Sequence, residues 1–270
     1  IVQYRSQRIS GANACEPITL ALTPVGGHHV SNHTYTNALL GGLSAAELEH
    51  LQLEPAELPH GRSLERYERA SKHAYFPSRG VISVLAPAGG RSSVEIGMVG
   101  REGVTALTAI MGAERAPYDA VVQIAGAGWS APMATVREAL DANAPFRRRI
   151  LDYAQAFYTQ VSVTAAINAA KKLDERLARW LLVARDRADG DELPPTHEYI
   201  PQMLGVRRAG VTIALQTLEQ RGAVKGRRGA ISILDREGLA LHAQGAYTPA
   251  DESMRGRAVA LRRLAEWAFG

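Results

Sequence analysis

The sequence predicts an α+β protein in which a small β-barrel or jelly roll precedes a long helix and a winged helix-turn-helix. Residues 56–136 alternate short apolar runs with turn residues at near-regular spacing, a pattern typical of small barrels. Residues 145–170 repeat apolar side chains in steps of three and four, which indicates one long helix. Residues 196–236 follow the order helix, glycine turn, helix and two short strands.

The composition is that of an ordinary globular protein, with 270 residues, 46% of them apolar and 21% charged. This length suggests two domains. The single cysteine, Cys15, excludes an intramolecular disulfide and a cysteine-based zinc or iron–sulfur site. No segment has the pattern of a membrane span or of a signal peptide, so we expect a cytoplasmic protein without membrane contact.

Residues 1–35 show no periodic pattern and are expected to form a flexible arm. The arm contains three neighbouring histidines: His28, His29 and His33. No carboxylate or fourth ligand accompanies them, so a solvated tail is favoured over a metal site. Ser44 and Glu47 then have the spacing of a capping box, which predicts the start of a short helix.

Four short apolar runs are predicted as strands of the barrel: His73–Phe76, Val81–Leu85, Val94–Met98 and Ala120–Ile124. The intervening residues favour turns: Pro77–Gly80, Pro87–Gly90 and Gly97–Gly103. Gly126–Ala131 has the G-x-G-x-x-A spacing of a dinucleotide-binding turn. A turn of the barrel is favoured, because Trp129 would crowd a phosphate and no later β-α-β unit follows. A dinucleotide-dependent oxidoreductase is the unfavoured alternative.

The long helix is predicted to begin at Pro145 and to pair with a second copy of the chain. Its heptad seam consists of six residues: Ile150, Ala154, Phe157, Val161, Thr164 and Asn168. Asn168 would fix the register of the pair. The alternative is a core helix of one chain; a dimer helix that packs partly on the β-domain is favoured. A second helix, with Leu177 and Trp180 on its apolar face, follows.

Residues 196–220 carry the helix-turn-helix pattern. Thr196 is the predicted N-cap of the first helix, and Gly205 ends that helix because glycine tolerates the left-handed conformation of a tight turn. Six apolar residues are predicted to face inward: Ile200, Met203, Leu204, Val211, Leu215 and Leu218. The outward side of the second helix begins with Arg207 and Arg208 and continues through Thr212. Such a helix enters the DNA major groove with its N-terminal residues foremost.

A two-stranded wing is predicted over residues 223–234, with Lys225 in its first strand and Arg227 and Arg228 at its tip, where they would contact phosphate. Residues 196–236 hold seven positive and three negative side chains, and this excess of four equals that of the whole chain. The basic bias therefore lies on this segment, which predicts nucleic-acid binding. The alternative is a dimer that contacts protein and has lost DNA specificity.

Residues 40–240 resemble the Crp/Fnr family of bacterial transcription regulators. The resemblance is carried at the C-terminal end by LDERLARWLLVARDR, MLGVRRAGVT and RRGAISILDREGL, and more loosely at the N-terminal end by HAYFPSRGVISVL and SSVEIGMVGREGV. It implies a regulator rather than an enzyme. It also implies a homodimer that binds a pseudo-palindromic operator, with RNA polymerase as a further candidate partner.

The same resemblance implies a division of the chain. A barrel of the cyclic-nucleotide-binding type, residues 36–144, would sense an effector, and residues 145–170 would form the dimerisation helix. Residues 171–240 would form the winged helix-turn-helix, and residues 241–270 a C-terminal tail.

The resemblance further implies roles for single residues of the DNA-binding segment. Thr196 and Arg207 lie where the family contacts backbone phosphate, and Arg208 lies where an arginine reads guanine. Ala209 and Ile213 occupy the next base-reading positions, where neither side chain can hydrogen-bond a base. The operator is therefore expected to differ from those of the best-known members.

Two residues of the helix-turn-helix are expected to weaken it. Pro201 would remove one backbone hydrogen bond and kink the first helix. Gly210 in the second helix would cost about 1 kcal/mol relative to alanine.

The effector site is the least defined part of the resemblance. Gly100, Glu102 and Gly103 resemble the Gly-Glu turn with which family members bind cyclic nucleotides. The phosphate-holding arginine expected after this turn is missing, since Arg115 is followed by Ala116–Asp119. Cyclic-nucleotide binding is therefore not expected, no cofactor is predicted, and the effector stays open.

Overall fold

The computed structural model describes residues 36–90, 92–188, 190–194, 199–227, 229–248 and residue 251. The predicted arm over residues 1–35, with its three histidines, lies outside the described residues. So do Thr196, Arg228 and most of the predicted C-terminal tail. Within the described ranges, no helix is long and apolar enough to cross a membrane.

The N-terminal part contains one five-stranded antiparallel sheet with the order β1-β5-β3-β4, and β2 also pairs with β5. Its elements are α1 (Ala45–His50), β1 (Glu54–Leu58), β2 (Ser63–Glu65), β3 (His73–Pro87), β4 (Ser93–Val99), α2 (Leu107–Ile110) and β5 (Asp119–Pro132). The capping box predicted for α1 is confirmed, because the Ser44 and Glu47 side chains each accept a hydrogen bond from the other residue's backbone N–H.

Strand β3 corrects the prediction of two strands separated by a turn at Pro77–Gly80. These residues lie within one continuous strand, whose register against β5 shifts on both sides of Arg79. Gly80 has φ +89°, and a Cβ there would lie 2.7 Å from the carbonyl oxygen of Ile124. Bulges at this point bend the strand without reversing it. The turn-like composition therefore marks a bulge.

The G-x-G-x-x-A segment lies inside strand β5, so the interpretation as a turn is wrong. Gly128 pairs with Ala56 on one side and with Pro77 on the other. A Cβ on Gly126 or Gly128 would collide with the backbone of the neighbouring strand β3. The two glycines permit this close approach. They do not begin a helix that could hold a pyrophosphate, which removes the basis of the oxidoreductase alternative.

Three helices follow the sheet: α3 (Met133–Ala142), α4 (Ala144–Ala170) and α5 (Leu173–Arg187). Helix α4 confirms the predicted long helix. Asn143 caps it by accepting a hydrogen bond from the Phe146 N–H at 2.9 Å, and Pro145 lies in the first turn, where its missing N–H costs nothing.

Helix α4 packs one face on its own sheet, so the predicted seam is only partly free for a second copy. Ile150 is buried within the chain. A Cβ on Gly97 of β4 would lie 3.0 Å from the Phe157 ring. The Gln160 side-chain oxygen accepts a hydrogen bond from the Met98 N–H at 2.6 Å.

The distal end of the predicted seam is also bonded within the chain. Thr164 accepts a hydrogen bond from Arg179 at 3.2 Å, and the Asn168 side-chain oxygen accepts one from Arg176 at 3.0 Å. Asn168 therefore has a partner other than the predicted second copy. The large apolar side chains that α4 leaves exposed are Leu151 and Tyr158, which lie seven residues apart.

The C-terminal part is a helix-turn-helix with a three-stranded sheet of order β6-β8-β7. Its elements are β6 (Glu192–Leu193), α6 (Ile200–Met203), α7 (Arg208–Gln220), β7 (Val224–Arg227), β8 (Ala230–Ile233) and α8 (Arg236–His242). The predicted wing is present as β7 and β8. Strand β6, which pairs antiparallel with β8, was not predicted.

Helix α5 joins the two parts of the chain. It is buried on nearly all sides, whereas the sequence predicted one apolar face. Leu177 and Leu181 of α5 belong to the same hydrophobic core as Val81 and Leu85 of β3 and as the helix-turn-helix. The sheet and the helix-turn-helix therefore share one continuous core through α5.

Candidate nucleic-acid interface

The helices of the helix-turn-helix pack through the apolar residues that were predicted to face inward. Six side chains are buried as predicted: Ile200, Met203, Leu204, Val211, Leu215 and Leu218. Gly205 has φ +64°, which confirms the left-handed turn between α6 and α7. Val206 packs against the core between the two helices. The buried face fixes which side of α7 faces outward.

Pro201 does not interrupt α6, which corrects the expected kink. Helix α6 begins at Ile200, so Pro201 lies in its first turn, where the backbone N–H would have no partner within the helix. The Pro201 carbonyl accepts a hydrogen bond from the Val206 N–H at 2.8 Å and so helps to close the turn.

Gly210 has a packing role that the sequence did not reveal. A Cβ at this position would lie 2.9 Å from Leu173 of α5, which is tighter than normal van der Waals contact. The missing side chain lets α7 approach α5 closely. The lower helix propensity of this glycine is therefore accompanied by closer packing of α7 against α5.

The exposed side of α7 carries the predicted DNA-contacting residues. Five of them are exposed: Arg207, Arg208, Ala209, Thr212 and Ile213. The apolar side chain of Ile213 is 65% exposed. The Thr212 hydroxyl donates a hydrogen bond to the Arg208 carbonyl at 3.2 Å. Arg207 precedes the helix in an extended conformation, so both arginines stand at its N-terminal end.

The wing presents further cations beside α7. Lys225 and Arg227 are exposed on β7, while Arg228 lies outside the described residues. The Glu219 carboxylate accepts a hydrogen bond from the Gly226 N–H at 2.7 Å and ties the wing to the end of α7. Arg207, Arg208, Lys225 and Arg227 form no ion pair with any described residue. These cations are therefore available to an anionic partner such as a phosphate backbone.

The residues predicted for the effector pocket lie at the junction between the sheet and α5. Glu102 is buried, and its carboxylate accepts a hydrogen bond from the Arg187 Nε–H at 2.7 Å. The Gly100 N–H donates to the same carboxylate at 3.2 Å. A Cβ on Gly103 would collide with the Tyr153 ring. The bond between Glu102 and Arg187 thus connects the predicted turn to α5. This role could not be predicted from the turn alone, because it depends on Arg187, which is distant in sequence.

A cavity of about 210 Å³ lies elsewhere, between the sheet, the α2 segment and α4. Gly100, Glu102 and Gly103 do not line it. The lining comes from Glu65, Val84, Val99, Val104, Thr105, Ala106, Leu107, Thr108, Met111, Tyr118, Tyr153, Ala154, Phe157, Tyr158 and Val161. The sequence did not predict this cavity, because its walls come from six separate segments of the chain.

The Crp-like helix-turn-helix domain family matches residues 175–241. This range begins in α5 and ends in α8, so it contains α6, α7 and the wing. No curated protein matches the sequence at a significant level.

Solved structures extend the likeness to most of the chain. A Crp/Fnr-family transcriptional regulator from Eubacterium rectale superposes with a TM-score of 0.60 at 20% identity, over 77% of this chain and 99% of that one. The regulator TTHB099 of the CRP family from Thermus thermophilus gives 0.57 at 21% identity, over 72% and 98%. The c-di-GMP-responsive regulator CLP from Xanthomonas campestris gives 0.58 at 15% identity, over 70% and 99%. At these identities the likeness establishes the fold.

The buried and exposed faces of α7 and the basic wing have the arrangement of a winged helix-turn-helix domain. Residues 175–241 are therefore a Crp-like helix-turn-helix domain, and the fold over most of the chain is the one seen in solved Crp/Fnr-family structures.

Proposed function

We propose that the chain acts as a homodimer that binds a pseudo-palindromic operator and responds to an effector held by its N-terminal domain. In this proposal the effector-sensing domain is residues 36–144 and the dimerisation helix is residues 145–170. The DNA-binding domain is residues 171–240. The observation that carries this proposal is the exposed N-terminal end of α7, where Arg207 and Arg208 have no ionic partner among the described residues.

The basic residues divide into those that contact bases and those that contact phosphates. Arg208 begins α7 and has the side chain best suited to guanine, because its guanidinium can donate two parallel hydrogen bonds to O6 and N7. Arg207, Lys225 and Arg227 lie on the flanks and contact phosphates, as do Thr196 and Arg228 outside the described residues. Ala209, Thr212 and Ile213 face the bases, and the apolar Ile213 suits a thymine methyl group.

The exposed face of α4 supports pairing of two copies. Leu151 and Tyr158 are 53% and 73% exposed and lie two helical turns apart, so they fall on one stripe of the helix. A second copy would bury this stripe. Twofold symmetry then places two half-sites about 10–10.5 base pairs, or one helical turn of DNA, apart.

The proposal is tested by selection from a random duplex pool with the full chain at low and moderate salt. Enrichment of a twofold symmetric site is expected, and it would also give the operator sequence. Retention of random duplexes without enrichment would show that the charges bind but that α7 does not discriminate. No retention at any salt concentration, with capture of protein partners only, would favour the protein-contacting alternative.

Replacement of Arg208 by alanine is expected to relax base preference at one position of each half-site. The expected loss of discrimination is about 1–3 kcal/mol, because one bidentate contact to guanine is removed. Binding of each selected-site variant is measured by titration against labelled duplexes. Arg66→Ala, which removes an exposed arginine of the sheet domain, is the matched control and should leave the preference unchanged.

Replacement of Arg227 by alanine is expected to weaken binding to all duplexes alike. One lost phosphate contact should reduce the slope of log K against log salt by about one unit. Titrations at several salt concentrations measure this slope on the selected site and on a random duplex. A loss confined to the selected site would contradict the assignment of Arg227 to phosphate.

A further inference from the structure

We propose that the cavity between the sheet and α4 is the effector site and that it takes a neutral aromatic molecule about the size of indole, instead of an anionic nucleotide. This inference rests on the proposed effector control. It follows from the volume of the cavity, the charge of its lining and the chemistry of its walls.

The volume limits the ligand to a small molecule. Cavities that hold drug-sized ligands span about 300–1,000 Å³, whereas a cavity of about 150 Å³ holds benzene. The present cavity, at about 210 Å³, lies between these sizes. It therefore suits one ring system with small substituents.

The charge of the lining excludes an anion. Among the residues that the structure describes, no lysine, arginine or histidine lines the cavity, and the one carboxylic acid there is Glu65. The Glu65 carboxylate accepts hydrogen bonds from the Ala106 N–H at 2.6 Å and from the Ser71 hydroxyl at 3.3 Å. A phosphate or carboxylate in this space would face that carboxylate without a compensating cation, at a high desolvation cost.

The walls favour an aromatic ring. Four aromatic residues line the cavity: Tyr118, Tyr153, Phe157 and Tyr158. Ring pairs in edge-to-face or offset geometry add to the burial of apolar surface. Most other lining residues are aliphatic, including Val84, Val99 and Val104. Such walls bind a neutral ring by burial and ring contacts, with few polar groups to fix its orientation.

One buried polar group at the cavity lacks a hydrogen-bond partner of good geometry among the described residues. The Tyr153 hydroxyl is buried beside the backbone of Val104 and forms no well-aligned hydrogen bond with the described residues. A buried hydroxyl of this kind ordinarily has a partner. A ligand N–H or O–H could supply it, so the structure favours indole or phenol over a plain hydrocarbon.

The cavity also brings a bound ligand into contact with α4, the helix proposed to pair two copies of the chain. Tyr153, Ala154, Phe157, Tyr158 and Val161 are successive lining residues on α4, and Tyr158 also belongs to the exposed stripe proposed to pair. A bound ring would therefore hold the segment of α4 on which pairing depends. Binding of the ligand and binding of DNA are expected to be coupled through this helix.

The test uses isothermal titration calorimetry of the full chain with four probes: indole, phenol, benzoate and cyclic AMP. Indole and phenol are expected to bind, and benzoate, which adds a carboxylate to a ring of the same kind, is expected to bind about a hundredfold more weakly or not at all. Ala154→Phe should abolish binding of the neutral probes because the new ring fills the cavity. Ser162→Phe, which places the same ring on an exposed position of α4 outside the cavity, is the control.

Glu65→Gln tests the charge argument separately, because glutamine can keep the bonds to Ala106 and Ser71 while it removes the charge. Benzoate should gain affinity in this variant and phenol should not. Tighter binding of benzoate or cyclic AMP than of indole, or no heat with either neutral probe, would overturn the inference. Either result leaves the duplex selection unaffected, so failure here is distinguishable from failure of the DNA-binding proposal.

Discussion

Replacement of Arg187 by alanine is expected to lower the free energy of unfolding by about 3–5 kcal/mol, because it leaves a buried carboxylate without its partner. The Arg187 and Glu102 side chains are 3% and 0% exposed, and Nε and Oε1 are 2.7 Å apart. Arg187 also donates to the Val183 carbonyl at 3.1 Å. The pair joins the turn after β4 to the end of α5, and thus the sheet to the helix that precedes the helix-turn-helix.

Urea unfolding of the full chain measures this loss, and the same helix offers a control. Arg185 lies two residues earlier, and it pairs with Asp191, which is 59% exposed. Arg185→Ala should therefore cost less than about 1 kcal/mol. The double variant Glu102→Leu with Arg187→Met should recover most of the loss, since it removes both buried charges. Equal losses for Arg185→Ala and Arg187→Ala would contradict the buried-pair interpretation.

The helix-turn-helix was predictable because each of its features is local in sequence. The apolar residues of α7 recur at helical spacing, and Gly205 marks the turn before it. The sheet was less predictable, because a bulge at Gly80 and a close strand approach at Gly128 use the same residue type as a turn. Residue type alone does not distinguish these three uses of glycine.

The polar contacts between the sheet and α5 could not be predicted from the sequence. Glu102 and Arg187 are 85 residues apart, as are Glu95 and Trp180. A charged residue in an isolated sequence is ordinarily assigned to the surface, because burial requires a partner that only the fold supplies. The resemblance to the Crp/Fnr family placed Glu102 in an effector pocket, whereas the structure shows it bonded to Arg187.

Glu95 provides a second buried carboxylate at this junction, with a different pH response. It is 6% exposed on β4 and accepts a hydrogen bond from the Trp180 indole N–H at 2.8 Å and a short one from the Ser83 hydroxyl. Burial raises the pKa of Glu95 to about 7, although these two hydrogen bonds and the nearby Arg179 and Arg187 favour the charged form.

The raised pKa of Glu95 makes stability fall as the pH rises. The ordinary pKa of this side chain is 4.5, so between about pH 4.5 and 7 the folded chain holds a proton that the unfolded chain has released. The stabilisation from this proton is fully present below about pH 4.5 and is lost as the pH rises through about 7. Its size, at 1.36 kcal/mol per pKa unit, is about 3 kcal/mol.

Glu95→Gln is expected to remove this pH dependence and to be more stable than the parent chain at pH 8. Glutamine keeps an oxygen that can accept the Trp180 N–H, but it carries no charge that burial could penalise. Urea unfolding at pH 5, 6, 7 and 8 gives the two profiles, and Glu57→Gln on the exposed side of β1 serves as the matched control. Parallel profiles for the parent and Glu95→Gln would show that Glu95 stays ionised in the fold. A flattened profile for Glu95→Gln alone would show that uptake of a proton by Glu95 stabilises the fold.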